Sequence, residues 1–133
     1  MSKSVQGICA LAVSLLLTSA SLCRAQPDAS PNPGRGKLLF LRCAACHSIG
    51  NGGAARIGPD LGGVVGRKAG SLPGYAYSAA MKSQNFVWDA ATLDRWLTRP
   101  NDVVPGTAMA FGGMENAQDR QTLIDYLAKF PAN

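Results

Sequence analysis

Histidine and cysteine are scarce in this 133-residue chain, which has one histidine, His47, and four cysteines. A single imidazole excludes any metal site built on two histidines. Charged residues make up 16% of the chain and form no run of five or more like charges, which argues against a nucleic-acid-binding arm. The 47% hydrophobic content is too high for a disordered segment, and the length suits one domain. We therefore expect a single small globular domain, in a chain whose formal net charge is +5.

The first 25 residues have the order of a secretory signal peptide. A basic start precedes the apolar stretch over residues 8–17, and small residues follow up to Ala25. An uncleaved membrane anchor is the alternative, but a spanning helix needs about 20 apolar residues and this stretch is much shorter. A lipid-anchored protein cut before Cys23 is disfavoured because Leu22 stands where a small residue is wanted. We expect cleavage after Ala25, with Ala20 as the second choice.

Cleavage there leaves two of the four cysteines in the mature protein. The Pro-rich residues 26–34 are predicted to form a loose lead-in, and residues 35–133 the folded domain. Three helices are predicted in this domain from hydrophobic periodicity and capping residues. They are residues 35–46; residues 88–97, with Asp89 as N-cap and Pro100 beyond the end; and a last helix to about Phe130, with Asn116 as N-cap.

A long segment rich in glycine and proline, residues 48–77, separates the first two helices and shows no strand-like alternation. About 30 residues without regular structure are unusual inside a compact domain, so something other than a hydrogen-bonded ladder must organise them. Three helices joined by such loops also make a thin core. The pattern therefore predicts an all-α domain that wraps around a cofactor.

The chemistry of the chain lies in the sequence Cys43-Ala44-Ala45-Cys46-His47. Two thiols at this spacing can form thioethers with the two vinyl groups of a porphyrin, and the next imidazole can bind its iron from one side. A thioredoxin-like redox pair shares the spacing but requires a β-α-β setting that the sequence does not predict. A zinc site would need two further ligands, and a simple disulfide is the remaining alternative. We expect haem c, one per chain, attached covalently through Cys43 and Cys46.

A haem iron bound by His47 needs a second axial ligand, and methionine is the natural candidate because the chain has no second histidine. Three methionines follow the motif. Met109 lies in a loop between two predicted helices, and such a loop can reach the far face of the ring. Met81 lies near a predicted turn and Met114 follows two glycines, and a lone methionine is more often a core residue. We favour Met109.

Several separated motifs resemble class I cytochrome c, the group of mitochondrial cytochrome c and bacterial cytochrome c2. The resemblance covers residues 36 to about 127 without insertions or deletions. It implies an all-α fold of three main helices and Gly/Pro-rich loops wrapped around one covalently attached haem. The motifs are Gly36-x-x-x-Phe40, Cys43-x-x-Cys46-His47, Gly58-Pro59-x-Leu61, Gly66-Arg67-Lys68, Pro73-Gly74-Tyr75-x-Tyr77, Trp88, Pro105-Gly106-Thr107-x-Met109-x-Phe111 and Leu123-Ile124-x-Tyr126-Leu127.

The resemblance also implies roles for individual residues. Gly36 and Tyr126 match the close crossing of the first and last helices, where a missing side chain lets the backbones approach. Around the haem, His47 and Met109 would be the axial ligands, and the Pro59 carbonyl would accept a hydrogen bond from the far nitrogen of His47. A buried propionate would be contacted by Arg67, Tyr77 and Trp88. Thr107 would lie near the propionates and the Met109 loop.

Two positions depart from the family pattern close to the haem. Trp96 stands where the family commonly has an aromatic hydroxyl facing the methionine sulfur. Met81 occupies a position often held by asparagine in a buried polar network. These departures concern the tuning of the reduction potential and the stability of the methionine loop, and they leave the haem site itself intact.

The resemblance implies a soluble single-haem electron carrier rather than an enzyme. The export signal favours a bacterial periplasm. The expected partners are redox proteins: a membrane oxidase, a cytochrome bc-type complex or a periplasmic dehydrogenase. We expect a monomer that binds no nucleic acid and, after cleavage, spans no membrane. Mitochondrial members carry lysines around the exposed haem edge; Arg42 keeps one such position, whereas Asn101, Asp102 and Ala108 occupy others. The alternative is a haem enzyme or sensor, such as a peroxidase, with a displaceable Met109 ligand.

Overall fold

The computed structural model describes residues 33–50 and 57–132, and within these ranges it contains helices and turns but no strand. One isolated antiparallel bridge joins Lys68 to Val87. This confirms the predicted all-α class. The predicted signal peptide and most of the predicted lead-in lie outside the described residues. The helices are α1 (Pro33–Phe40), α2 (Ala79–Lys82), α3 (Ala90–Thr98), α4 (Pro100–Val103) and α5 (Ala117–Leu127).

The two predicted N-caps begin the helices α3 and α5. Asp89 precedes α3, and its side chain accepts a hydrogen bond at 2.7 Å from the amide three residues later. Asn116 does the same for α5 at 2.9 Å. Both caps satisfy a backbone donor that the first helical turn leaves without a partner. α5 ends at Leu127, and the chain continues to Phe130 in hydrogen-bonded turns.

The first helix is shorter than predicted. α1 ends at Phe40, and turns follow it instead of helix up to Cys46. The Cys43 amide donates to the Phe40 carbonyl at 2.8 Å, a three-residue spacing, whereas the His47 amide donates to the Cys43 carbonyl at 2.9 Å, a four-residue spacing. Such a mixture does not propagate a regular α-helix. It nevertheless places both cysteines and His47 on consecutive hydrogen-bonded turns.

The single-turn helices α2 and α4 were not predicted from the sequence. Ser78 caps α2 by accepting a hydrogen bond from the Met81 amide at 3.3 Å. α4 begins with Pro100 directly after α3, where proline's missing N–H costs nothing. Their lengths are too short for hydrophobic periodicity to reveal them. Among the helices of the described ranges, none is both long and apolar enough to cross a membrane.

The core forms where α5 packs against α1 and α3. α1 crosses α5 at Gly36, where a Cβ atom would lie 2.6 Å from the Cβ of Tyr126, so glycine is required there. The Phe40 and Tyr126 rings pack with their centroids 5.9 Å apart. The buried hydrophobic residues are Phe40, Val64, Ala69, Met81, Trp88, Leu93, Trp96, Leu97, Val104, Met114, Leu123, Ile124 and Leu127.

Candidate haem-binding site

One cavity of about 390 Å³ contains all nine residues that the sequence analysis assigned to the haem site. Its walls come from the turns after α1, the segment 57–78, the helices α2, α3 and α5, Trp88, and the loop 107–111. Residues that are far apart in the sequence are therefore brought to one place. The nine are Cys43, Cys46, His47, Pro59, Arg67, Tyr77, Trp88, Thr107 and Met109.

The imidazole of His47 is fixed by a hydrogen bond from its Nδ1 to the Pro59 carbonyl oxygen, at 2.8 Å. A carbonyl oxygen can only accept, so Nδ1 carries the proton and Nε2 keeps a lone pair. Ring nitrogens fixed in this way are typical of histidines that bind metals, because the outer hydrogen bond sets both the tautomer and the ring orientation. His47 can therefore offer Nε2 to an iron.

Gly58 lies directly behind the His47 ring. A Cβ atom at this position would be 2.6 Å from Nδ1 and 2.9 Å from Nε2 of His47, closer than real Cβ contacts allow. The Gly58 amide donates to the Cys46 carbonyl at 2.8 Å, so its backbone cannot easily retreat. The absence of a side chain at Gly58 therefore lets the ring reach the Pro59 carbonyl. Gly58 belongs to the motif Gly58-Pro59-x-Leu61, but the sequence alone predicts no role for it.

Both cysteines of the motif are half-buried on the cavity wall. Burial raises the pKa of the Cys43 thiol, an effect that the charge of Arg42 opposes and that Cys46 reinforces. No disulfide joins Cys43 to Cys46, so both sulfurs are available for thioether bonds to two vinyl groups.

The three methionines occupy different environments. Met109 is half-buried and lines the cavity, and its amide donates to the Thr107 hydroxyl at 3.3 Å. Met81 on α2 is buried and also lines the cavity. Met114 is buried in the core away from the cavity lining, with its amide donating to the Leu97 carbonyl at 2.7 Å. Geometry thus leaves Met109 and Met81 as sulfur donors within the cavity.

Three polar donors expected at a propionate line the same cavity. The guanidinium of Arg67 is held by the loop backbone, donating to the Gly62 carbonyl at 3.0 Å and to the Asp60 carbonyl at 2.9 Å. Burial raises the pKa of the Tyr77 hydroxyl in spite of the nearby Arg67 charge, so this hydroxyl stays protonated and able to donate. The Trp88 ring is buried. A cation and two neutral donors thus line the same cavity and are available to an anionic group.

The two family departures, Trp96 and Met81, both line the cavity as buried residues. The Trp96 ring meets Trp88 edge-on, with the ring centroids 5.1 Å apart. Phe86 meets the same Trp88 edge-on at 4.7 Å. Trp88 and Trp96 in the cavity wall thus belong to a cluster of edge-to-face aromatic rings that Phe86 extends behind the wall.

Asp60 organises the loop next to His47, a role that the sequence analysis missed. Its carboxylate accepts hydrogen bonds from the Ser48 hydroxyl at 2.5 Å, from the Gly62 amide at 2.6 Å and from the Gly50 amide at 3.3 Å. Burial raises the pKa of Asp60, but these hydrogen bonds and the charge of Arg67 outweigh it, so the pKa lies below its usual value. The acid directly after Pro59 was the available sequence signal.

We expect Asp60→Asn to lower the free energy of unfolding by about 1 kcal/mol at pH 7, because charge-assisted hydrogen bonds to the loop are lost. A carboxylate whose pKa is lowered by folding stabilises the protein above its unfolded pKa, and this contribution is lost as the pH falls through the folded pKa. The difference in the free energy of unfolding between the native and the variant protein should therefore shrink below about pH 4. Denaturant unfolding across this pH range measures it. Asp125→Asn, at an exposed site on α5, is the control, and a difference that is constant with pH would contradict the prediction.

The cavity suits a flat, largely apolar macrocycle with a metal at its centre. One wall offers an imidazole and two thiols, another offers thioether sulfur, and a guanidinium lies among them. The space that the missing side chain of Gly58 leaves for the His47 ring also fits a site in which His47 binds a metal. The remaining wall is apolar and contains Leu61, Val64, Leu93, Leu97, Phe111, Leu123 and Leu127. This donor set and shape define a c-type haem site.

Comparison with known proteins agrees with this site. The cytochrome c family model matches residues 34–130. Cytochrome c2 of Rhodoblastus acidophilus is 46% identical over 102 residues, which cover 77% of this chain and 95% of that protein. Cytochrome c2 of Rhodomicrobium vannielii is 43% identical over 118 residues, which cover 88% of this chain and 94% of that protein.

A solved structure, cytochrome cH from Methylobacterium extorquens, matches with a TM-score of 0.67 and 41% identity, covering 73% of this chain and 97% of that one. The chain belongs to the cytochrome c family and has the class I fold. It is a single-haem electron carrier, with haem c bound covalently at Cys43 and Cys46.

Proposed function

We propose that this chain is a periplasmic electron carrier whose iron is held by His47 on one side and Met109 on the other. The observation that carries the proposal is that the fixed imidazole of His47 and the thioether of Met109 line one cavity, together with the attachment cysteines. Methionine and histidine ligation is the arrangement of electron-transfer cytochromes c and leaves no open iron position. Catalysis is disfavoured for that reason.

When bound, the haem supplies a one-electron couple. The work of the chain is to keep its surroundings nearly the same in both oxidation states. The Pro59 carbonyl holds the His47 ring in one orientation, and the Thr107 hydroxyl holds the backbone at Met109. The apolar wall excludes water, and the Arg67 guanidinium, fixed by two carbonyls, offers a positive charge to an anionic edge. Rigid ligands and a dry wall keep the rearrangement per electron small.

The mouth of the cavity favours partners that dock briefly. Of the described residues that line the cavity, four are exposed: Arg42 is charged, and Ile57, Ala108 and Ala110 are apolar. The side chain of Ile57 is 82% exposed. Small, largely apolar contact areas give the weak complexes that electron carriers use. A membrane oxidase, a cytochrome bc-type complex or a periplasmic dehydrogenase would fit such a face.

The spectrum of the ferric protein tests this assignment against the haem enzyme or sensor. A six-coordinate, low-spin spectrum with the weak sulfur–iron band at its red end is expected. The protein should also titrate as a single one-electron couple, and the reduced form should be reoxidised by membranes that contain a terminal oxidase. A ferric protein that has a high-spin spectrum and binds peroxide rapidly would contradict the assignment as an electron carrier and favour a haem enzyme.

For the periplasmic location, we expect the protein purified from its native host to begin at Gln26. The apolar stretch over residues 8–17 followed by small residues up to Ala25 is the pattern that signal peptidase cuts. Mass analysis of the N-terminal peptide of the periplasmic fraction measures this. An Ala25→Arg variant, which places a large charge at the cut, is the matched control and should accumulate uncut. Native protein that keeps residues 1–25 in the membrane fraction would show that the stretch is an anchor.

A further inference from the structure

The buried arginine of α5 is the most extensively bonded side chain outside the cavity lining. Arg120 donates from Nε to Asp94 Oδ1 at 2.7 Å and from Nη2 to Asp94 Oδ2 at 3.5 Å. Its Nη1 donates at 2.9 Å to the carbonyls of both Met114 and Glu115. The side chain is 10% exposed, against 42% for Asp94. One guanidinium thus joins α3, α5 and the backbone between them.

The two carbonyls belong to the loop that carries Met109. This loop, residues 104–116, connects α4 to α5 and is called the Met109 loop below. Its far end also rests on α3, because the Met114 amide donates to the Leu97 carbonyl at 2.7 Å. At Gly113 a Cβ atom would collide with the Thr98 carbonyl oxygen. The end of the loop is therefore packed against α3 and hydrogen-bonded to Arg120 of α5.

From this arrangement we propose that Arg120 and Asp94 are positioning residues that hold the Met109 loop closed and so keep the Met109 sulfur in the cavity. The proposal rests on the assignment of Met109 as the axial ligand. Neither residue lines the cavity; both act through the backbone at Met114 and Glu115.

The physical reason is the cost of a buried, unpaired charge. A guanidinium has five donors in a rigid fork, so it can hold a carboxylate and two carbonyls together, which a lysine ammonium cannot match in geometry. If the fork is lost, the Met114 and Glu115 carbonyls lose their partner, and the loop end opens more often. If the Asp94 charge is lost, Arg120 stays largely buried without its counter-ion. Either change should weaken the closure of the Met109 loop and leave the haem attachment at Cys43 and Cys46 intact.

A second ion pair on α5 provides the matched control. Arg35 on α1 pairs with Asp119 on α5, one residue before Arg120 in the sequence. The side-chain hydrogen bonds between Arg35 and Asp119 do not involve the Met109 loop. The bond from the Asp119 backbone amide to the Asn116 side chain does reach the loop, but it does not depend on Arg35. Arg35→Gln should therefore change the free energy of unfolding without a specific effect on the loop.

The experiment measures the binding of imidazole to the ferric holoprotein, because imidazole must displace the Met109 sulfur. We expect Arg120→Lys and Asp94→Asn to bind imidazole roughly tenfold to a hundredfold more tightly than the native protein, the range expected for a lost hydrogen bond to a charged group. Asp94→Glu, which keeps the carboxylate, should lie closer to the native protein. Arg35→Gln should stay within about twofold of the native affinity.

Hydrogen exchange gives a readout that is independent of the axial ligand. The protection of the Met114 amide should fall by a similar factor in Arg120→Lys and Asp94→Asn, whereas Arg35→Gln should leave it unchanged. Denaturant unfolding of all variants separates loop opening from global loss of stability. If Arg120→Lys does not fold, the milder Asp94→Asn and Asp94→Glu pair carries the comparison.

Two outcomes would overturn the proposal: imidazole affinity and Met114 protection unchanged in Asp94→Asn, or changes in all variants that simply follow their unfolding free energies. Failure of the proposed function looks different. It would appear in the native protein as a ferric spectrum without the sulfur–iron band, and the exchange of the Met114 amide would still decide whether Arg120 and Asp94 hold the loop.

Discussion

Replacing Met109 by alanine is expected to abolish the sulfur–iron band and to lower the reduction potential markedly. Thioether ligation raises the potential of a histidine-bound haem, and axial ligands set potentials over a range of about 0.8 V. The chain has no second histidine that could take the vacated position. The ferric variant should therefore become high-spin, bind small ligands such as cyanide without displacing a side chain, and gain peroxidase activity. Visible spectra and a potentiometric titration measure both effects.

The other two methionines are the controls for this result. Met81→Leu and Met114→Leu conserve volume, which buried sites tolerate better than truncation. Both should keep the sulfur–iron band, because Met114 packs in the core and Met81 is expected to fill space in the cavity wall. A band that survives in Met109→Ala but disappears in Met81→Leu or Met114→Leu would mean that the ligand has been assigned to the wrong methionine.

Adding one methyl group at Gly58 should damage the opposite side of the haem. The new Cβ would lie 2.6 Å from Nδ1 of His47, so the ring must leave its position and the 2.8 Å hydrogen bond to Pro59 must stretch or break. We expect Gly58→Ala to lower the free energy of unfolding by about 1–3 kcal/mol, the usual cost of overpacking. Less haem should be incorporated and the ferric spectrum should change. Denaturant unfolding and the haem content per chain measure these effects.

Gly112→Ala is the matched control for the change at Gly58. A Cβ atom at Gly112 would meet nothing within 4 Å. The substitution should therefore be close to neutral, within about 0.5 kcal/mol, and keep the native spectrum. If Gly58→Ala keeps full haem content and native stability, the His47 ring does not depend on the space that Gly58 provides.

The parts of the fold that follow from local chemistry could be predicted from the sequence. Asp89 and Asn116 each cap a helix because their side-chain oxygens reach an amide three residues later, which depends only on neighbouring residues. The predicted end of α1 was wrong. The Cys43 amide bonds to a carbonyl three residues back and the His47 amide to one four residues back, and the periodicity of apolar residues does not indicate such a change. Helix existence was thus easier to predict than the position of helix ends.

The candidate site divides in the same way. The spacing of Cys43, Cys46 and His47 indicates its chemistry without any knowledge of the fold. The choice between Met109 and Met81 is different, because both line the cavity and only the loop position and the family resemblance favour Met109. The role of Asp60 escaped prediction because it is built from hydrogen bonds across 10 to 12 residues of irregular chain.

The crossing of α1 and α5 at Gly36 and Tyr126 has a consequence for the order in which the molecule is assembled. Because the first helix packs against the last helix of the chain, their contact closes nearly the full length of the domain and costs loop-closure entropy. Leu123 and Leu127 of that last helix are also part of the cavity wall. If the proposed signal peptide exports the chain amino end first, Cys43 and Cys46 cross the membrane before Leu123 and Leu127. The vinyl groups of the porphyrin could then reach the thiols before the carboxyl-terminal helix completes the cavity wall.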